Sequence, residues 1–93
     1  MKHYIIAKFK DSNDTERLLH EITSLFDKVL DIEGINGVII RKSNSTRENR
    51  YSIMIEIDLT HEGLEAFDAS DVHKEWKDVY GDRLMSKAIF DCD

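Results

Sequence analysis

The segment His3 to Lys10 has large apolar side chains on both of its alternating sets. One set is His3, Ile5, Ala7 and Phe9; the other is Lys2, Tyr4, Ile6 and Lys8. Successive side chains of a strand point to opposite faces, so this strand must be covered on both sides. The chain has only 93 residues, and a domain of that size buries about 60–65% of the surface its unfolded chain exposes. With one cysteine, Cys92, no internal disulfide can help, and no metal cage is evident. The second face therefore needs a cover that the chain's own core cannot supply.

The rest of the chain alternates between the two periods. Asn13 and Glu16 stand in the three-apart relation of a helix cap. Leu18, Ile22, Leu25, Phe26 and Val29 then recur at helical steps, with Leu19 and Leu30 widening the stripe and the helix ending near Leu30. After a connection containing Gly34 and Gly37, Gly37 to Ser43 reads as a second strand and Asn44 to Asn49 as a loop. Tyr51 to Leu59 is the clearest strand, with Tyr51, Ile53, Ile55, Ile57 and Leu59 on one face and Ser52, Met54, Glu56 and Asp58 on the other. Thr60 can cap a short helix through Phe67. A further helix from Ser70 carries Val72, Trp76, Val79 and Tyr80 until Gly81 stops it. Lys87 to Cys92 is a last strand, with Ala88 and Phe90 on one side and Ile89 on the other.

This order, β-α-β-β-α-β, is that of an α+β, ferredoxin-like split βαβ protomer, and the length fits a single domain over residues 1–93. Both helices pack on one face of such a sheet. The other face would carry Tyr4, Ile6, Met54, Ala88 and Phe90, too large an apolar patch for a soluble monomer. A second copy, sheet against sheet, is expected to cover it, which makes the protein a homodimer.

Charge narrows the classes of partner. Thirteen basic residues against nineteen acidic ones give a net charge of −6, the wrong balance for a dedicated nucleic-acid binder. Residues 1–50 hold nine basic and eight acidic groups; residues 51–93 hold four and eleven. The basic cluster Arg41, Lys42, Arg47 and Arg50 brackets the polar loop and reads as a solvated hairpin end, with an anion site as the sharper alternative. Lys8 interrupts the first apolar run too early for a signal peptide, and no stretch is apolar for the length of a membrane span. An unpaired cysteine fits a cytoplasmic location. Asp91 and Asp93 beside Cys92 disfavour its thiolate, so no redox role is assigned to it.

The chain resembles the stress-responsive A/B barrel domain (Dabb) family over its whole length. The resemblance rests on Lys2-His3 opening a strand that closes with Lys8-Phe9-Lys10, and on the turn Ile32-Glu33-Gly34-Ile35-Asn36-Gly37-Val38. It rests also on Leu64-Glu65-Ala66-Phe67 followed by His73, and on Ile89-Phe90-Asp91 at the close. Phe67 stands where the family usually has a Tyr, and Ser70-Asp71-Val72-His73 replaces a His-Pro-x-His segment of which only the last His survives. The resemblance implies a dimeric α/β barrel in which two four-stranded sheets close on each other. Most members have no assigned reaction; a plant member carries out an aldol cyclisation in a pocket between helices and sheet.

His73 is the first candidate for chemistry. The resemblance implies a general base here, and a neutral imidazole suits that task near pH 7; its Tyr partner, however, is Phe67. The alternative is a His that bonds a backbone carbonyl and fixes the helix connection. His3 would join His73 as a second polar group in an apolar ligand site lined by Ile5, Ile53, Phe67 and Trp76, or else lie part-exposed at a strand end. Trp76 and Phe67 also fit a plain core. His20 and His61 fall on helix surfaces. With no two histidines at i, i+4 and no His–carboxylate cluster, no metal site is expected, and no cofactor is implied.

Three functions follow as expectations. The first is a Dabb homodimer binding a small hydrophobic or carbonyl-containing ligand, with any cyclase- or lyase-like chemistry resting on His73. The second is a non-catalytic, stress-associated dimer. The third is an antibiotic-biosynthesis-type monooxygenase of the same architecture. Haem-degrading enzymes of that type place an Asn on the first strand, and Met1 to Phe9 contains none.

Overall fold

The computed structural model describes residues 1–93. Strand β1 (Lys2–Phe9) is followed by helix α1 (Asp14–Asp27), a 3-10 turn (Lys28–Asp31) and strands β2 (Ile35–Lys42) and β3 (Ile53–Leu59). Helices α2 (His61–Asp68) and α3 (Asp71–Glu75) come next, then a π-helical turn (Trp76–Tyr80), a 3-10 turn (Gly81–Arg83) and strand β4 (Leu84–Cys92). The strands form one antiparallel sheet in the order β2-β3-β1-β4. This is the ferredoxin-like arrangement expected from the sequence.

Alternation along the two central strands builds the core. His3, Ile5, Ala7 and Phe9 of β1 are buried, as are Ile53, Ile55, Ile57 and Leu59 of β3. The stripe Leu18, Ile22, Leu25, Phe26 and Val29 closes over them from the helix side, with Trp76 and Phe67 beside it. Gly34, with φ +93°, turns the chain into β2 and lies against Gly63 of α2; a Cβ on Gly34 would come within 2.8 Å of Gly63 Cα. No side chain fits between them, so α2 seats directly on the turn before β2.

Several local expectations need correction. Asn13 precedes α1 but its side chain makes no cap bond; instead Asp11 Oδ1 accepts the Asn13 N–H at 2.9 Å. Leu30 is 50% exposed, because the chain tightens to 3-10 winding after Asp27 and rotates it off the stripe. Val79 is 54% exposed, because the wider π turn puts Trp76 and Tyr80 on the buried side together and swings Val79 outward. Tyr51 lies before β3 and is exposed, belonging to the hairpin rather than to the inner face. Strands β2 and β4 each begin earlier than their apolar runs, at Ile35 and Leu84.

The outer sheet face carries Tyr4, Ile6, Met54, Ala88 and Phe90 together, as their cross-strand register requires. Ile39 of β2 joins them, 46% exposed, and Phe90 is 60% exposed. The Tyr4 and Phe90 rings stand 6.4 Å apart. Beside this patch runs a short ionic row in which Lys2 lies 3.4 Å from Asp58, and Arg41 lies 3.4 Å from Glu56. Partial burial, together with the neighbouring Glu56 carboxylate, raises the Tyr4 phenol above its ordinary pKa.

Candidate functional site

A polar cluster forms where the start of β1 meets the end of β4 and the α2–α3 connection. Ferredoxin-like order makes β1 and β4 antiparallel neighbours, so His3 sits directly opposite Asp91. His3 is 6% exposed, and its Nδ1 lies 2.5 Å from Asp91 Oδ1. The expectation of a part-exposed strand-end histidine is therefore replaced by a buried one held by a carboxylate. The sequence alone gives Asp91 no role beyond its place beside Cys92. Strand order and register place it opposite His3.

The α2–α3 connection sets His73. Ser70 donates to Phe67 O at 2.6 Å and accepts from the His73 N–H at 3.2 Å, the N-cap arrangement that starts α3. His73 Nδ1 lies 3.0 Å from Asp68 O, so the connection is stapled through the imidazole as well. The His73 ring stands 5.0 Å from the Phe67 ring, and His3 stands 5.8 Å from the same ring. Phe67 is thus flanked by two imidazoles.

Hydrogen-bond chemistry assigns the ring protons. A carboxylate and a carbonyl only accept, so Nδ1 of His3 and of His73 each carry the proton, which leaves Nε2 of each neutral ring as the lone-pair nitrogen. Every buried side-chain nitrogen or oxygen has a partner, and His3 Nε2 has none within the protein. The His3 side chain as a whole is only 7% exposed. Phe67 contributes no hydroxyl, so the cluster holds two proton acceptors and no phenolic donor.

The apolar candidates surround the cluster on one side. Phe67 contacts Phe26 at 6.2 Å, and Phe26 meets Trp76 edge-on at 5.4 Å. Ile5 is two residues along β1 from His3 and lies opposite Ile89 of β4. Ile89 shares that helix-side face but is 50% exposed, because the helices stop short of the edge strand. Ile53 pairs with Ala7, farther down the sheet, and is separated from the two histidines. His20 and His61 are exposed on their helices. No three His, Cys, Asp or Glu side chains come together, and no helix is long and apolar enough to cross a membrane. A basin of about 1030 Å³ opens at the opposite end of the sheet, and none of the six candidate residues lines it.

No family model and no curated protein matches the chain. Solved structures do. A dimeric ferredoxin-like protein of unknown function from Bacteroides fragilis has a TM-score of 0.81 at 11% identity, over 99% of this chain and 93% of that one. A Dabb family protein with a ferredoxin-like fold from Mesorhizobium loti has a TM-score of 0.75 at 12% identity, again over 99% and 93%. A putative antibiotic biosynthesis monooxygenase from Nitrosomonas europaea has a TM-score of 0.71 at 18% identity, over 99% and 98%. The chain has the fold of these proteins. Identities this low carry the architecture and not the chemistry.

Proposed function

We propose that this protein is a cytoplasmic Dabb-family homodimer, joined through its outer sheet face, that binds a small carbonyl-containing ligand beside His3, Phe67 and His73. The dimer rests on the uncovered apolar face around Ile6, Met54 and Phe90 and on the dimeric Bacteroides fragilis relative in fold; the free Cys92 fits a reducing compartment. One observation carries the ligand site. Two imidazoles flank the same apolar ring, and each has Nδ1 committed to a protein acceptor, leaving Nε2 as the acceptor for a ligand hydroxyl or acidic C–H. His73 is the base in this reading, and Phe67, Ile5 and Trp76, each at most 1% exposed, form the packed core behind it.

A second reading is favoured by Phe67 itself. It is fully buried and lacks the hydroxyl that the resemblance leads one to expect, so no phenol is present to stabilise an enolate as its proton leaves. On that ground the dimer binds without turnover, or is purely structural.

The two readings separate on one titration. With 2,4-pentanedione as probe, the His3 and His73 imidazole resonances should shift saturably, and His73→Ala should abolish binding while the sedimenting mass stays that of a dimer. Absence of any saturable shift at about 10 mM, ten times a millimolar Kd, would leave only the structural dimer. Accelerated deuterium exchange of the probe's central C–H, lost in His73→Ala, would mark His73 as a working base. A haem titration should leave the Soret band unshifted.

A further inference from the structure

The basin at the far end of the sheet is a second site, and its chemistry differs from that of the histidine cluster. It lies where β1 ends, six residues beyond His3, or about 20 Å at 3.4 Å per residue. The β2–β3 hairpin folds over this end and forms one wall. Of its seventeen lining residues, only three are apolar, six are Ser or Thr, and five are Lys or Arg against two Glu. The chain as a whole carries −6, so this is a local reversal of sign.

Pairing sharpens the contrast. Six of the thirteen basic side chains lie within ion-pair distance of a carboxylate. Of the seven that do not, four line the basin: Lys8, Lys10, Arg47 and Arg50. The fifth basin cation, Lys42, is neutralised by Glu16 at 2.5 Å. Lys8 bonds only the carbonyl of Glu48, and Arg50 only the amide oxygen of Asn49. A concave wall with an excess of one sign focuses potential on its interior.

The hairpin is tied to the sheet by backbone hydrogen bonds. Ser43 N–H bonds Ser52 O at 2.9 Å and Ser52 N–H bonds Ala7 O at 2.8 Å, which ties the loop to the end of β1. Within the loop, Ser45 Oγ accepts the Arg47 N–H at 3.3 Å and Arg47 O accepts the Arg50 N–H at 3.2 Å. The two guanidinium groups therefore spring from one hydrogen-bonded turn.

We propose that this basin binds a phosphorylated small molecule, with Lys10, Arg47 and Arg50 holding a diphosphate group and the loop hydroxyls completing its hydrogen bonds. Guanidinium groups take phosphate oxygens in pairs, and the volume leaves room for the organic part of a phosphate ester. The site is independent of the histidine cluster and of any reading of it.

The test uses the full chain and pyrophosphate, followed by calorimetry and by backbone amide shifts. Saturable binding is expected, at least ten times tighter than that of sulfate, with shifts confined to residues 8–16, 42–52 and 84–86. Arg47→Glu/Arg50→Glu should weaken it at least tenfold and Lys10→Ala at least threefold. Lys28→Glu/Lys77→Glu, which reverses two unpaired lysines away from the basin, should leave it unchanged. ADP should displace pyrophosphate. Affinity no better than that of sulfate, equal loss in the Lys28/Lys77 variant, or failure of ADP to compete overturns the proposal.

Discussion

Removing Asp91 isolates the contact on which the histidine cluster depends. His3 Nδ1 and Asp91 Oδ1 lie 2.5 Å apart, with the His3 side chain 7% and the Asp91 side chain 43% exposed. In Asp91→Ala the enclosed ring loses the acceptor of its N–H, and an orphaned buried donor costs about 1–3 kcal/mol. Asp91 sits at the surface, so water can enter part of the space it vacates, which puts the loss near the lower end, about 1–1.5 kcal/mol. For a domain of this size each kcal/mol moves the melting temperature by about 4–8 °C, so a drop of roughly 5–10 °C is expected. His3→Phe keeps a ring of similar size and removes the donor; Asp91 then turns to water at little cost. The double variant should match His3→Phe, giving a coupling of about 1 kcal/mol in the cycle. Urea unfolding at pH 7 measures all four proteins, at one fixed protomer concentration because association shifts apparent stability. If Asp91→Ala lies within about 0.3 kcal/mol of the parent, or if the two single losses simply add, the pair contributes nothing and the assignment of His3 as a held imidazole is wrong.

Three further outcomes follow from the fold. Gly63→Ala places a Cβ 2.7 Å from the Gly34 carbonyl carbon, with backbone on both sides, and should cost about 1–3 kcal/mol in urea unfolding; Gly81→Ala meets nothing within 4 Å and should be neutral or stabilising. Ile6→Glu puts an unpaired charge in the proposed sheet–sheet interface and should sediment as a 10.8 kDa particle; an unaltered dimer would place the interface elsewhere. The Tyr80 phenol is pushed up to about 12, by burial first and then by the neighbouring Glu21 carboxylate, with Glu75 adding to it and Arg83 opposing. The folded state therefore favours the neutral phenol, so the contribution is whole below about pH 10, the ordinary value, and is lost as pH rises towards 12. Tyr80→Phe should flatten the fall in stability across that window, and a Tyr80 that ionises near pH 10 in an ultraviolet titration would contradict the burial argument.

Much of the architecture could be read from period alone. The doubly apolar β1, the strict alternation of β3 and the stripe from Leu18 to Val29 each point to one structure, and the element order then leaves few topologies. What escaped was winding and pairing. Leu30 and Val79 fit a 3.6-residue period, but the chain leaves that period at Lys28 and again at Trp76, and a shift of winding has no signature in composition. His3 and Asp91 are separated by 88 residues, so no local pattern joins them; only strand order and register do. His73 is the reverse case, where a local contact is within reach of the sequence. The backbone-carbonyl bond offered as its alternative role is present, from Nδ1 to Asp68 O at 3.0 Å.

Strand β4 links the two faces of the molecule, and its register decides both. Ala88 and Phe90 point to the outer face, where the partner copy is proposed to sit, while Ile89 and Asp91 point to the helix side beside Ile5 and His3. A slip of one residue would exchange the two sets. Phe90 would enter the space beside His3, and Asp91 would be driven into the apolar outer patch. Edge strands are prone to such slippage, since only one neighbour holds them. Here the bulge at Lys8/Phe9 resists it: Phe9 pairs with Leu84 and Lys8 with Ser86, leaving Met85 as the extra residue. A bulge fixes the count of residues on either side and so pins the register. Its position at the basin end of β1, and the His3–Asp91 pair at the other end, hold the strand at both extremes. The His3–Asp91 hydrogen bond therefore does two things at once: it fixes the tautomer of His3, and it keeps Phe90 on the face where a second copy can cover it.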